Sequence, residues 1–125
     1  MKSYTDIGQS KKLAEILPLE SADMWYQRKV YYTHGYYKID CGREHVYAEK
    51  PDYEDASPIT PCWSFAALLN VLPDGTDIIK DKSDTENEKY MCTVGIKDDI
   101  ISTFANNPVD ACVKMIIRLN ELNLL

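Results

Sequence analysis

Three segments of the chain have helical patterns, and in the first and third the apolar residues lie three to four apart, the spacing of a helix that buries one side. In the first segment Leu13 and Leu17 share one stripe of a helix predicted over residues 6–17. Thr5 is the predicted N-cap residue, and Pro18 is expected to end the helix.

The second helical segment, predicted over residues 61–72, is apolar at nearly every position in "PCWSFAALLNVL". Thr60 can cap this helix and Pro61 can occupy its first position, where the missing N–H costs nothing. Residues 73–75, Pro-Asp-Gly, supply a stop signal. Because a helix that is apolar on most faces must be enclosed, the sequence predicts that this is the most buried helix.

The third helical segment lies in "NNPVDACVKMIIRLNELNLL". Asn107 is the predicted N-cap, Pro108 the first helical residue, and Asp110 an acid in the first turn, where the helix dipole favours it. The apolar stripe consists of Val109, Cys112, Ile116 and Leu119. This pattern predicts an amphipathic helix that packs on a sheet or on the second helix.

Between the helices the sequence is rich in aromatic and β-branched residues, which are typical of strands. The segment 24–39 predicts a hairpin that turns at Thr-His-Gly, and a short strand is expected at 45–48. "TDIIKDK" and "KYMCTVGI" predict a second hairpin, followed by a strand in "DDIISTFA", whereas "EKPDYEDASPITP" predicts a loop. Together these elements predict a single α+β domain over residues 1–125, with a mostly antiparallel sheet packed against two or three helices, in a single layer around the buried central helix.

The net charge is −6, and the hydrophobic and charged fractions of 45% and 27% are ordinary for a globular protein. The excess of acids argues against a nucleic-acid partner, because binding to a phosphate backbone needs clustered Lys and Arg. No apolar run is long enough to cross a membrane and the first residues lack a signal-peptide core, so we expect a cytoplasmic protein with no membrane contact. The scattered glycines form no phosphate loop, and no cofactor or disulfide framework is predicted.

Cys62 is the residue that most suggests catalysis. "CWSF" resembles the nucleophile segment of papain-like cysteine proteases, and a thiol at a helix N-terminus has a lowered pKa. However, papain-like enzymes are longer and place their His downstream, whereas both histidines here precede Cys62. Two interpretations stay open: a buried packing Cys, which the pattern favours, or a thiol nucleophile with His45 as its base.

His34, Cys41, His45 and Cys62 contain the donor atoms of a zinc site. Structural zinc sites show tighter paired spacings, and here only the gap from Cys41 to His45 is short. We therefore predict no metal site.

Tyrosines are concentrated in one part of the chain, since seven of the nine lie between residues 26 and 53. A tyrosine offers a rigid apolar face and a polar tip, which suits contact surfaces, although it equally suits packing on a sheet. The predicted binding residues are Trp25, Tyr31, Tyr36, Tyr37, Tyr47 and Tyr53.

Three blocks, "QSKKLAEILPLESADM", "PCWSFAALLNVLP" and "NPVDACVKMIIRLNEL", make the chain resemble a group of small proteins of bacteria and their phages or prophages. The resemblance implies a mobile-element context and transfers no catalytic residue. The leading hypothesis is a non-enzymatic protein-binding or accessory protein that uses the Tyr-rich hairpin and the acidic surface. The alternatives are a small thiol enzyme that uses Cys62 and His45, and an acidic mimic of nucleic acid in which Asp52, Glu54 and Asp55 take part.

Overall fold

Helices and antiparallel strands both contribute to the structure, a computed structural model that describes residues 1–28, 30–33, 35–39, 44–51, 58–80 and 89–125, with backbone alone at 30–33 and 36–39. The helices are α1 (Ile7–Ala14), α2 (Phe65–Val71) and α3 (Pro108–Glu121), with a 3-10 helix at Leu19–Ser21. The strands are β1 (Met24–Gln27), β2 (Val30–Thr33), β3 (Tyr36–Ile39), β4 (His45–Tyr47), β5 (Thr60–Cys62), β6 (Asp77–Lys80), β7 (Tyr90–Ile96) and β8 (Asp99–Ala105). The predicted α+β class is confirmed.

The strands form two three-stranded sheets, in the orders β4-β1-β5 and β6-β7-β8, and the hairpin β2-β3, all antiparallel. The predicted Thr-His-Gly turn is confirmed, because Thr33 pairs with Tyr36 and Gly35 adopts a left-handed φ of 84°. The prediction of one continuous arm before this turn is wrong. β1 ends at Gln27 and pairs with β4 and β5, so it belongs to a different sheet from β2.

The sheet β6-β7-β8 agrees with the sequence pattern. Cys92 and Val94 of β7 point into the core and are at most 1% exposed, while Gly95 between β7's inward positions is exposed. β8 follows after a two-residue turn in which Lys97 has a left-handed φ of 54°. Residues 81–88, which contain the predicted charged turn Ser-Asp-Thr-Glu-Asn-Glu between the two strands of this hairpin, lie outside the described residues.

The start of the second helix differs from the prediction. Residues 60–62 form strand β5, and α2 begins at Phe65 with Ser64 as its N-cap, whose Oγ accepts a hydrogen bond from the N–H of Ala67 at 3.2 Å. The physical reason is that β1 offers a free edge, on which Trp25 pairs with Pro61. The Thr-Pro signal for a helix N-terminus therefore came four residues too early.

α3, and not α2, is the most buried helix. α2 buries Ala67 and Leu68, whereas Leu69 on its outer side is 38% exposed. The buried residues of α3 are Val109, Ala111, Cys112, Val113, Met115, Ile116 and Leu119. α3 is enclosed because it packs on β7 and β8 on one side and on α1 and α2 on the other. Its predicted start is confirmed, since the side chain of Asn107 accepts from the N–H of Asp110 at 2.8 Å.

The N-terminal segment lies across the junction between β5 and α2. α1 is capped by Asp6 through a reciprocal pair of hydrogen bonds with Gln9, and not by Thr5 as predicted. Thr5 is instead fully buried, where its backbone N–H donates to the Trp63 carbonyl at 2.9 Å and its Oγ1 accepts from the Trp63 N–H at 3.2 Å. A buried hydroxyl that joins two segments of chain has no local signal in the sequence.

Candidate binding site

The centre of the sheet β4-β1-β5 carries a row of three ring-bearing side chains. Trp25 of β1 lies directly opposite Tyr47 of β4 and Pro61 of β5. Directly opposed residues project from the same face of a sheet, so the three rings are neighbours. All three side chains are half-buried, and the structure thus brings together Trp25 and Tyr47, two of the predicted binding residues.

A cavity of about 350 Å³ opens beside Trp25. It lies between the 3-10 helix, β1 and β5, and it is lined by Leu19, Glu20, Ala22, Trp25, Lys50, Ile59 and Pro61. The volume falls at the lower end of the range for ligand sites, roughly 300–1,000 Å³. Leu19 is 58% exposed at its edge, so an apolar surface adjoins the opening. We call these seven residues the Trp25 cavity.

The wall of the Trp25 cavity is held by the core beneath it. Pro18 fixes the entry to the 3-10 helix, and the Ser21 hydroxyl donates to the Pro18 carbonyl. The indole N–H of Trp63, which is fully buried, donates to the Ser21 Oγ at 2.9 Å. These bonds hold Leu19 and Ala22, one wall of the cavity, in place relative to the core.

The opposite face of β1 is closed. Tyr26 is 9% exposed, and its hydroxyl donates to the Thr5 carbonyl at 2.7 Å. Its ring meets that of Tyr4 edge to face, with centroids 6.4 Å apart. Burial raises the pKa of Tyr26, so this hydroxyl stays protonated and keeps its bond to Thr5. Tyr26 is thus held in the core, whereas its neighbour Trp25, which projects from the other face of β1, is half-buried.

Two charged residues of opposite sign, Glu20 and Lys50, stand at the rim of the Trp25 cavity, and both are exposed. The walls below them are apolar. A pocket with apolar walls and a few polar groups at its mouth suits a ligand that inserts an apolar group and leaves its polar part in water.

Cys62 lies in the core at the end of β5 and is 0% exposed. Its Sγ lies 3.5 Å from both the hydroxyl and the carbonyl oxygen of Thr5. Burial raises the pKa of this thiol, the reverse of what a nucleophile needs. Ser64, and not Cys62, stands at the N-terminus of α2, so the helix dipole expected to activate the thiol acts elsewhere.

Nor does the structure bring Cys62 and His45 together. His45 pairs with Gln27 and Cys62 with Met24, at opposite ends and on opposite sides of β1. Three residues along a strand and two strand spacings across give a Cα separation of about 14 Å. A base and its nucleophile need hydrogen-bond contact. The same separation keeps these two residues from sharing a metal ion, and among the described residues no group of three or more His, Cys, Asp or Glu could hold one.

Several predicted residues cannot be placed at the cavity. Tyr31 belongs to β2, and Tyr36 and Tyr37 to β3, but the described part of these strands is backbone alone. Residues Tyr53, His34, Cys41, Asp52, Glu54 and Asp55 lie outside the described residues. The roles of this group stay predictions.

The residues that sequence reasoning missed are the walls of the cavity, above all Leu19, Ala22, Ile59 and Pro61. Leu19 and Ala22 follow Pro18, where the first helix is expected to end, and Ile59 and Pro61 lie in the predicted loop and helix start. The one available signal was Leu19, a large apolar residue followed directly by the polar Glu20 and Ser21.

No family model, curated protein or solved structure matches the chain. In the part of the chain that the structure describes, no helix is both long and apolar enough to cross a bilayer.

Proposed function

We propose that the protein is a non-enzymatic binding protein that holds a segment of a partner protein in the Trp25 cavity. The observation that carries the proposal is an exposed Leu19 beside a half-buried Trp25, both lining a cavity whose other walls include Ala22, Ile59 and Pro61. Trp is enriched in protein interfaces, and binding energy concentrates where an apolar side chain fills a pocket.

The segment that fits presents one large apolar side chain. A cavity of about 350 Å³ accepts a leucine or an aromatic ring and leaves the peptide backbone outside, near Glu20 and Lys50. The net charge of −6 favours encounter with a basic partner, because the summed field of the protein steers association. The resemblance to small proteins of bacteria and phages supports an accessory role in a mobile element.

The test is selection of peptides from a random displayed library on the immobilised protein. We expect enriched peptides to share an apolar anchor flanked by Lys or Arg. Two variants should no longer bind these peptides: Trp25→Ala removes one wall of the cavity, and Ala22→Phe fills the cavity. Ile79→Ala is the matched control, since Ile79 is an exposed apolar residue of β6 on the other sheet.

Circular dichroism and thermal melts establish that each variant is folded before binding is compared. The proposal fails if no peptide is enriched, or if enriched peptides bind the Trp25→Ala and Ala22→Phe proteins as tightly as the wild type. Loss of binding in the Ile79→Ala protein alone would move the site to the sheet β6-β7-β8.

A further inference from the structure

β8 is an edge strand. Its seven residues pair along their whole length with β7, and among the described residues β7 is its sole strand partner. Two large apolar side chains project from β8 on the face away from α3: Ile100, which is 73% exposed, and Phe104, which is 37% exposed. An exposed edge with apolar residues is a template for pairing with another strand.

The positions whose backbone groups face this edge follow from the register. In an antiparallel pair, hydrogen-bonded and non-hydrogen-bonded pairs alternate, and the pair that closes a two-residue turn, Ile96 with Asp99, is hydrogen-bonded. The backbone groups of Ile100, Ser102 and Phe104 therefore point away from β7. The side chain of Lys114 supports this assignment independently. Its Nζ donates to the Phe104 carbonyl at 2.7 Å, so that carbonyl points away from β7.

We infer that β8 pairs antiparallel with β8 of a second copy of the chain, about a two-fold axis at Ser102, and so joins two three-stranded sheets into one of six strands. In this register each Ile100 faces the Phe104 of the other copy, and Ser102 faces Ser102. The outward backbone groups then form about six hydrogen bonds between the copies, in which the Phe104 carbonyl accepts a second bond beside the one from Lys114. The two exposed apolar side chains cover each other across the axis.

Charge also favours a second copy over an unrelated strand. Lys114 stands at the Phe104 end of the edge, and Asp99, also exposed, stands at the opposite end. The two-fold axis reverses one strand relative to the other, so Lys114 of each copy comes beside Asp99 of its partner. A parallel pairing would instead place Lys114 beside Lys114 and Asp99 beside Asp99. The charges at this edge therefore favour a closed two-fold dimer. The dimer surface is separate from the Trp25 cavity.

The test is sedimentation equilibrium of the full chain from about 10 µM to about 1 mM, with charge-reversal variants. The wild type should pass from the mass of one chain towards that of two. Lys114→Glu or Asp99→Lys alone should weaken dimerisation tenfold or more, because each sets two pairs of like charges together. The double variant restores opposite charges and should return the dissociation constant to within about threefold of the wild type.

Lys12→Glu, an equal charge reversal at an exposed residue of α1, is the matched control and should leave the dimer unchanged. All variants change exposed side chains, and melting curves verify folding. The inference is overturned if the wild type stays monomeric over the whole range, if the single reversals do not weaken the dimer, or if the double variant does not restore it. Peptide selection on the Trp25 cavity does not depend on any of these results.

Discussion

A half-buried ion pair joins the first residues of the chain to α3, and its removal should cost measurable stability. The Lys2 Nζ lies 2.8 Å from Asp110, 3.0 Å from Asp6 and 2.8 Å from the amide oxygen of Gln9. Asp110 also accepts from Gln9 and from Asn107, each at 2.8 Å. The side chains of Lys2 and Asp110 are 26% and 30% exposed, so water screens the pair less than one on the open surface.

The size of the effect follows from this environment. Exposed ion pairs contribute about 0–1 kcal/mol and hydrogen bonds to charged groups about 1.5–3 kcal/mol, so we expect a coupling of about 1 kcal/mol between Lys2 and Asp110. Asp110→Asn also removes a charge from the N-terminus of α3, worth about 0.5 kcal/mol. The total of about 1.5 kcal/mol corresponds to a Tm lowered by about 6 °C in a chain of 125 residues.

The dependence on pH gives the prediction its sign. Burial opposes ionisation of Asp110, but hydrogen bonds from Lys2, Gln9 and Asn107 outweigh it and hold its pKa below the ordinary value. The stabilisation is therefore complete above the unfolded-state pKa of about 3.9 and is lost as the pH falls through the lower folded-state value. The pKa of Lys2 is raised despite burial, through its bonds to Asp110 and Asp6, so its share is lost only in strong alkali.

The assay is a double-mutant cycle of Lys2→Met and Asp110→Asn, with free energies of unfolding measured by urea at pH 7 and at acid pH. Met keeps the aliphatic stem of Lys2, which separates charge from packing. A coupling free energy near zero at pH 7, or one that does not shrink on acidification, would refute the assigned role of the pair.

Three further changes test burial, the helix start and the thiols. Leu68→Ala should lower the free energy of unfolding by about 2–5 kcal/mol, because Leu68 is 0% exposed. Leu69→Ala beside it should lower that free energy by less than about 1 kcal/mol. Similar losses for the two variants in urea melts would contradict the orientation of α2. Ser64→Ala should cost about 1 kcal/mol and Thr60→Ala much less, and the reverse order would restore the helix start predicted from sequence. In a protein without Cys41, a thiol reagent at pH 7 should label none of the three buried cysteines until unfolding; fast labelling of Cys62 would contradict its burial.

How well each element could be predicted depends on whether its signals were local. α3 was predicted with its cap because Asn107, Pro108 and the stripe behind them all lie within one stretch of chain. β7 and β8 were predicted because alternation and a short turn suffice to define them. The class of the fold follows from such segments.

The start of α2 was mispredicted because the same residues fit two structures. Thr60 and Pro61 suit a helix N-terminus as well as a short strand, and only the edge of β1, more than thirty residues earlier, decides between them. The Trp25 cavity depends on non-local contacts even more. Leu19, Lys50 and Ile59 are far apart in the chain, and only the paired strands bring them around Trp25. The sequence pattern could therefore identify Trp25 as a candidate binding residue without showing the cavity beside it.

Nuclear magnetic resonance tests binding at the Trp25 cavity most directly, because the chain has two tryptophans and hence two indole N–H signals. Trp25 lines the cavity, while the indole N–H of Trp63 is held in the core by Ser21. Titration with a selected peptide should shift the Trp25 indole signal together with the backbone amides of Ala22 and Ile59, and leave that of Trp63 in place. Binding that leaves the Trp25 signal and these amides unmoved would contradict the proposed site.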